Sequence, residues 1–443
     1  MSNLQLVHLK DVAVSQTGPF GSQLHESDYV NQGTPIVTVE HLGEIGFTHQ
    51  NLPFVSDADK KRLSKYILKE GDIVFSRVGS IDRCTYVTKE EDGWMFSGRC
   101  IRVRCKEEVN SRYLNFYFRQ SFFKKMMLNI SVGATMPSLN TKLMDGIPLY
   151  LPSINHQNTI AKVLSDLDAK IELNNKINLE LEAMAKTLYD YWFVQFDFPN
   201  ADGKPYKSSG GKMVYNAELK REIPEVWKAG TLNDAISKTG TGLNPRDNFV
   251  LGEGDNYYVT IKSIEQGRVV LDDKCDKISD ETLEIINKRS DLQIGDILFT
   301  SIEPVGLTYL IQEIPKNWNI NESVFTIRPN YKKVTSEFLF MFLSGDYIKA
   351  YTKNVAAGSI HKGVRHSTLK ECKFIIPAKN TIMEFTQLIK PILKKLDLLQ
   401  KQNQHLTALR DWLLPMLMNG QVTVKEAEEK LSMAADPSSN YGN

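Results

Sequence analysis

Two stretches of this chain carry apolar residues at the alternating three-and-four spacing of a helix that pairs with another helix. In the first, Leu164, Ile171, Asn178, Ala185 and Trp192 recur every seventh position, with Leu167, Asn174, Leu181 and Leu188 between them. In the second, the same frame holds Ile389, Leu396, Asn403, Arg410 and Leu417, with Ile392, Leu399, Leu406 and Leu413. Two core positions per heptad are what a coiled-coil seam requires. The pattern predicts a helix over about 155–196, opened by Pro152 and an Asn155 N-cap, and a second that stops at Asn419-Gly420. Elsewhere the period shortens to two. Pro35–Val39, Asp72–Phe75 and Cys100–Val103 read as strands, Thr17–Ser22 as a turn cluster, and 111–128 as one helix. The expectation is an α+β globule followed by a long helix.

That arrangement occurs twice. Leu68–Ser76 aligns with Leu292–Thr300 at an offset of 224, and Val14–Gly18 with Ile236–Gly240 at 222. Leu151-Pro152 aligns with Ile376-Pro377, and Asn155 with Asn380, at 225. Several colinear windows at nearly one offset indicate a duplication. The chain divides into a globule at 1–150, a helical segment at 151–198, a linker at 199–222, a second globule at 223–376, a second helical segment at 377–425 and a tail at 426–443. The linker Asn200–Gly211 is polar and rich in Gly and Ser, so it is expected to be exposed and mobile. Disorder is expected from about Ala434.

Helices of about 37–40 residues reach about 55–60 Å, more than a globule of this size needs. They are expected to pair antiparallel about a pseudo-twofold axis. One side of the seam is Leu164, Leu167, Ile171, Asn178, Leu181 and Leu188; the other is Ile389, Ile392, Leu396, Asn403, Leu406 and Leu413. Asn178 and Asn403 occupy equivalent places near the middles, where a buried polar pair would set the register. Arg410 interrupts the stripe, and Ile382 stands where the first copy has Gln157.

Composition narrows the class. Across 443 residues, hydrophobic residues make up 42% and charged residues 24%, which fits packed globules and excludes collagen-like or wholly disordered chains. Lys+Arg is 54 against 53 Asp+Glu, so only local patches could attract a polyanion. The run Phe338–Leu343 is too short to span a bilayer, and Met1–Leu6 shows no secretory leader. Five cysteines without a C-x-x-C pair read as reduced thiols in a cytoplasm.

Catalytic signatures are missing. Gly210-Gly211-Lys212 runs into Met213, so it is no phosphate loop, and Gly240-Thr241-Gly242 lacks the rest of a dinucleotide fingerprint. Asn244-Pro245 is followed by Arg246 and Asp247, without the aromatic an amino-methyltransferase needs to stack a flipped base. His361 and His366 lack partners at ligand spacing, so no metal is expected. Glu90-Glu91 and Asp272-Asp273 read as solvated turns.

Local positive charge is present instead. Arg99, Arg102, Arg104, Lys106, Arg112, Arg119, Lys124 and Lys125 crowd one stretch, and Lys349, Lys353, Lys362, Arg365, Lys370 and Lys373 crowd its counterpart. The second stretch includes a polar, Gly-punctuated loop at Gly358–Ser367, equivalent to Gly133–Lys142 in the first copy. Loops of this kind can approach a phosphate backbone and reach base edges. Similar frames with different loop residues could read two different half-sites.

Several segments resemble the specificity subunit of type I restriction-modification systems. Leu151–Leu164 is similar to that family's entry into its first long helix, and Leu188–Phe198 to its exit. Ile223–Trp227 is similar to the start of its second recognition domain, and Leu409–Gly420 to the end of its second helix. Gly71-Asp72 and Gly295-Asp296 complete a resemblance over nearly the whole chain. It implies two tandem-duplicated α/β target recognition domains, separated by a helical spacer and reading a bipartite, asymmetric DNA target. It also implies a chain without catalysis or cofactor of its own, in a prokaryotic cytoplasm. The partners implied are double-stranded DNA, two methyltransferase subunits and two nuclease-translocase subunits, which use S-adenosylmethionine, ATP and Mg. The candidate DNA contacts are Ser22, Arg77, Arg83, Thr135, Asn140 and Lys142 in copy one. In copy two they are Asn244, Arg246, Ser301, Ser359, His361, Lys362 and Arg365. A standalone DNA-binding regulator is the rival reading.

Overall fold

The structure, a computed structural model, describes residues 4–435 apart from 20, 134–135, 247, 266 and 358–362. Contacts divide the chain into two units. Unit 1 is Met1–Leu173 with Gln402–Asn443, and unit 2 is Asn174–Lys401. The division cuts both long helices, so each unit holds one globule and a part of each helix.

The globules share one plan. In unit 1 an antiparallel sheet runs in the order Ala13–Thr17, Cys100–Cys105, Ile73–Ser76, Cys84–Tyr86. In unit 2 the order is Ile236–Thr241, Val324–Pro329, Ile297–Thr300, Thr308–Leu310. The central strands are buried on both faces, which is why they are apolar runs: Phe75 pairs with Ile101, and Phe299 with Phe325. A short antiparallel pair joins Gln5–His8 to Pro148–Leu151 in unit 1 and Lys228–Thr231 to Lys373–Ile376 in unit 2. It closes each globule where a long helix begins.

The repeated Gly-Asp turn has a structural cause. Gly71 and Gly295 lie at φ 93° and 89°, a region that side chains disfavour. The following carboxylate folds back to accept a backbone N–H, Asp72 from Lys69 at 2.8 Å and Asp296 from Gln293 at 2.9 Å. Each buried carboxylate is then gripped by two guanidinium nitrogens, from Arg104 at 2.7 and 2.6 Å and from Arg328 at 2.7 and 2.9 Å. This bidentate geometry is the strong form of the ion pair.

The first long helix is Ile154–Tyr189, followed by a π-helical turn at Asp190–Val194. It starts at Ile154, so Asn155 lies inside it and is not the N-cap. Gln157 anchors this end: its carbonyl accepts the Asn110 N–H at 3.0 Å, and its amide donates to the Pro152 carbonyl at 2.9 Å. The second helix is Lys379–Met418. In unit 1, Ile160, Leu164, Leu167 and Ile171 pack into one core with Leu406, Leu413 and Leu417. Asn403 donates to the Ile171 carbonyl at 3.3 Å and Arg410 to Asp168 at 3.3 Å, so the two strands of the seam run antiparallel. In unit 2, Tyr189, Trp192 and Phe193 all meet the Phe385 ring, with centroids 6.1, 5.8 and 4.9 Å away. Asn178 belongs to unit 2 and Asn403 to unit 1. Their expected meeting lies across the units and stays a proposal.

Further expectations are corrected. The helix at 111–128 is two helices, Ser111–Arg119 and Ser121–Ile130, broken at the extended Gln120. The linker is largely exposed as expected but is not free chain: Met213–Asn216 pairs with Arg221–Pro224, Asp197 accepts the Ser208 N–H at 2.7 Å, and Phe198 stacks on Tyr206 and Trp227. The segment assigned to the tail from 426 starts inside a helix, Val424–Ala435, whose Ala427 is buried in the unit 1 core, while the disorder expected from about Ala434 falls almost wholly outside the described residues. Arg410 is no defect in the stripe. It is 5% exposed and ion-paired within unit 1, a consequence of a buried acid on the facing helix.

Candidate nucleic-acid interface

Each globule brings two loops together at the same place. In unit 1 the loop after Ile73–Ser76 meets the loop before Thr141–Asp145. Val78 bridges Ser138, the Gly79 N–H donates to the Pro137 carbonyl at 2.9 Å, and the Leu139 N–H donates to the Arg77 carbonyl at 2.9 Å. In unit 2, Ile302 bridges Gly363, and the Val364 N–H donates to the Ser301 carbonyl at 2.8 Å. These bridges sit at equivalent positions of the repeat.

The candidate residues distribute unevenly over this frame. Arg77 is half-buried, and its guanidinium donates to the Leu139 carbonyl at 3.3 Å and the Gly98 carbonyl at 3.1 Å, tying three segments together. Its counterpart Ser301 is buried, and its hydroxyl donates to the Ser323 carbonyl at 2.8 Å. Both residues therefore build the loops. Arg83, Asn140 and Lys142 are exposed in unit 1, and Asn140 caps its short helix by accepting the Leu143 N–H at 2.9 Å. Ser22 lies in the 3-10 turn Gly21–Gln23. In unit 2, Arg246 and Arg365 are exposed, while half-buried Asn244 accepts the Asn248 amide at 3.0 Å through its carbonyl. Thr135, Ser359, His361 and Lys362 lie outside the described residues.

Counting charge along the basic stretch overstates the patch. Arg102 and Arg104 face Asp72, Arg119 pairs with Asp168 at 2.7 Å, and Arg112 lies over the Tyr86 ring at 3.7 Å. Arg99 was not among the candidates. It is exposed, and its carbonyl receives the Arg77 N–H at 2.8 Å, which places it beside the loop pair. Its place follows from the adjoining strands, where Ser76 pairs with Cys100, which composition does not reveal. Arg83, Arg99 and Lys142 are the exposed cations that this frame carries in unit 1. Cations and polar side chains on loops held by a rigid sheet suit contact with phosphates and base edges.

The family model for the type I restriction modification DNA specificity domain matches residues 1–183 and again 216–408. The chain belongs to this family. It is 27% identical to the type I restriction enzyme MjaIX specificity subunit of Methanocaldococcus jannaschii, over 72% of this chain and 71% of that one. It is 24% identical to the HindI specificity subunit of Haemophilus influenzae, over 85% and 91%. The fold is similar to a crystal structure of the type I restriction-modification S subunit from M. genitalium, with a TM-score of 0.63 at 13% identity, covering 94% of this chain and 96% of that one. The two matches to the specificity domain fall on the two copies found in the sequence.

Other chemistry in this specificity-domain protein is structural. Burial pushes the Cys84, Cys100, Cys105 and Cys372 thiols up to about 12, far from thiolate reactivity at neutral pH. Glu91 is no solvated turn residue. It is 3% exposed, accepts from Thr88 through one oxygen and meets His49 Nε2 at 2.8 Å through the other. Glu90 meets the opposite ring nitrogen of His49 at 3.4 Å. The imidazole thus lies between two carboxylates, one ring nitrogen facing each. Among the described residues no helix is long and apolar enough to cross a membrane.

Proposed function

We propose that this chain is the DNA-reading specificity subunit of a type I restriction-modification complex, each globule reading one part of a bipartite, asymmetric target. The observation that carries this reading is the pair of equivalent loop junctions, Val78–Ser138 and Ile302–Gly363, built on one frame but with different exposed residues. Family membership over both copies supports it. A duplicated reader with divergent loops recognises two unlike sequences at a fixed separation. The long helices serve as the spacer that sets this separation. The chain carries no catalytic step and no cofactor. Two methyltransferase subunits dock on it with S-adenosylmethionine, and two nuclease-translocase subunits with ATP and Mg complete the assembly in a prokaryotic cytoplasm.

The test is to map modified adenines in the host genome with and without the gene. Loss of one bipartite motif, with all others intact, is the expected result. An unchanged map in a strain shown to express the partner subunits would overturn the reading. Tight sequence-specific binding by the purified chain without effect on methylation would move it to a standalone regulator.

A further inference from the structure

The seat of each globule on its helices is equivalent in the two units but filled differently. The globule helix Ser111–Arg119 is equivalent to Ser336–Ser344, at an offset of 225. At its end, Arg119 pairs with Asp168 at 2.7 Å, and Arg410 from the second long helix pairs with the other oxygen of Asp168 at 3.3 Å. All three residues are buried. The same offset puts Ser344, Leu393 and Ala185 in these three places in unit 2. There the structure has a cavity of about 480 Å³, and Ser344, Leu393 and Ala185 all line it. Three smaller or uncharged residues have left open what two arginines and an aspartate fill in unit 1. The size is that of a small-ligand site.

Charge at the cavity is unbalanced in one direction. Lys186 bridges Asp190 at 2.6 Å and Asp346 at 3.0 Å, and Lys349 lowers the pKa of the same Asp346. Asp397 meets Lys401 at 2.8 Å and accepts from the Tyr309 hydroxyl at 3.4 Å. Glu182, one helical turn before Ala185, lines the cavity too, and no hydrogen bond or ion pair reaches it among the described residues. Four carboxylates, Glu182, Asp190, Asp346 and Asp397, thus face two lysines around a mainly apolar space, with Glu182 at its exposed edge. Of the two lining lysines, Lys186 is doubly paired and Lys349 acts on Asp346 through its charge, so neither offsets Glu182.

We propose that this cavity binds a small organic cation, a guanidinium or ammonium group on an apolar stem, with the charged head at Glu182 and the stem between Leu393, Leu396, Phe340 and Met341. The ligand takes the place that the Arg410 side chain occupies in unit 1. Burial raises the pKa of Glu182, and a bound cation would bring it back down.

The experiment titrates the purified full chain with n-pentylguanidinium, with guanidinium and n-pentanol as head-only and stem-only controls, and reads binding by calorimetry. Saturable binding of the amphipathic cation, tighter than either control, is expected. Glu182→Gln should weaken it about tenfold, the effect of losing one charge-assisted hydrogen bond. Ala185→Arg should abolish it by filling the space with the chain's own guanidinium. Absence of saturable binding to the parent chain, or affinity unchanged in Glu182→Gln, overturns the proposal. Because Glu182→Gln is conservative and at the mouth of the cavity, it decides the matter even if Ala185→Arg does not fold. DNA binding should be unchanged in Glu182→Gln, so this result stands apart from the reading of the loops.

Discussion

In unit 1, Arg119 and Arg410 close on Asp168 at the base of the globule; in unit 2, Ser344, Ala185 and Leu393 stand in the same places around a cavity. A few residues away the two units agree. Asp72 with Arg104 and Asp296 with Arg328 form the same bidentate pair on the same Gly-Asp turn. Duplication therefore left the ion pair inside each sheet alone and altered the one beneath each globule. A buried ion pair is weak support for stability, since well-packed apolar residues of equal volume do as well or better, but it cannot be dismantled one partner at a time. Unit 2 lacks all three charges together, as that rule requires, yet without the volume that would fill the gap.

The largest test of this contrast is Asp168→Ala. It strands the buried Arg119 guanidinium and leaves Arg410 with Asp411 alone, and should cost about 3 kcal/mol in urea unfolding of unit 1. Replacing all three residues at once (Arg119→Met, Asp168→Leu, Arg410→Met) should recover most of that loss. If the triple variant is as unstable as the single one, the triad contributes more than charge balance. Asp72→Asn and Asp296→Asn address the shared feature. Each should cost about 2–3 kcal/mol through its bidentate arginine, with similar values in the two units. Clearly unequal losses would show that the Gly-Asp turns have diverged as well.

Loop variants ask the same question of function. Arg83→Ala or Lys142→Ala should affect recognition of one half of the target, and Arg365→Ala or Arg246→Ala the other. A base contact is worth about 1–3 kcal/mol and relaxes one position, whereas a phosphate contact lowers the salt slope by about 1. Salt-dependent binding to duplexes altered in either half distinguishes the two. Arg77→Ala should loosen the loop pair itself, visible as faster hydrogen exchange over 131–140.

The smallest effect concerns pH. His366 stacks on Phe325 with centroids 3.6 Å apart, and burial, aided by Lys370, holds its pKa below 6.5. The folded state therefore binds fewer protons than the unfolded chain, so stability is full above about pH 6.5 and declines as pH falls below it. Unit 1 has Thr141 at the equivalent position and lacks this loss. Hydrogen exchange at pH 7.5 and 5.5 should show unit 2 loosening more than unit 1, and His366→Phe should remove the difference.

Much of the architecture was legible along the chain. The heptads, the duplicated Gly-Asp turns and the period-two strands rest on local pattern, because burial repeats with the geometry of each element. Residues whose role depends on a distant partner were not legible. Arg410 read as a flaw because Asp168 lies 242 positions away. Arg77 and Ser301 also bind carbonyls of other segments, partners that the sequence does not show. The polar linker read as free chain, yet its Tyr206 stacks on Phe198, which in turn stacks on Trp227, so residues on either side tie it down. Glu91 read as solvated because its partner, His49, comes from another turn.

Periodicity and repetition thus sufficed to establish two similar globules and two long helices, while the family came from the resemblance of a few segments. They could not say which charges are turned inward, which loops meet, or that the space held by a charged triad in one unit is open in the other. The physical reason is that helix and strand patterns record which face of an element is buried, whereas the pairing of buried charges and the volume left beside them depend on side chains brought together from hundreds of residues apart.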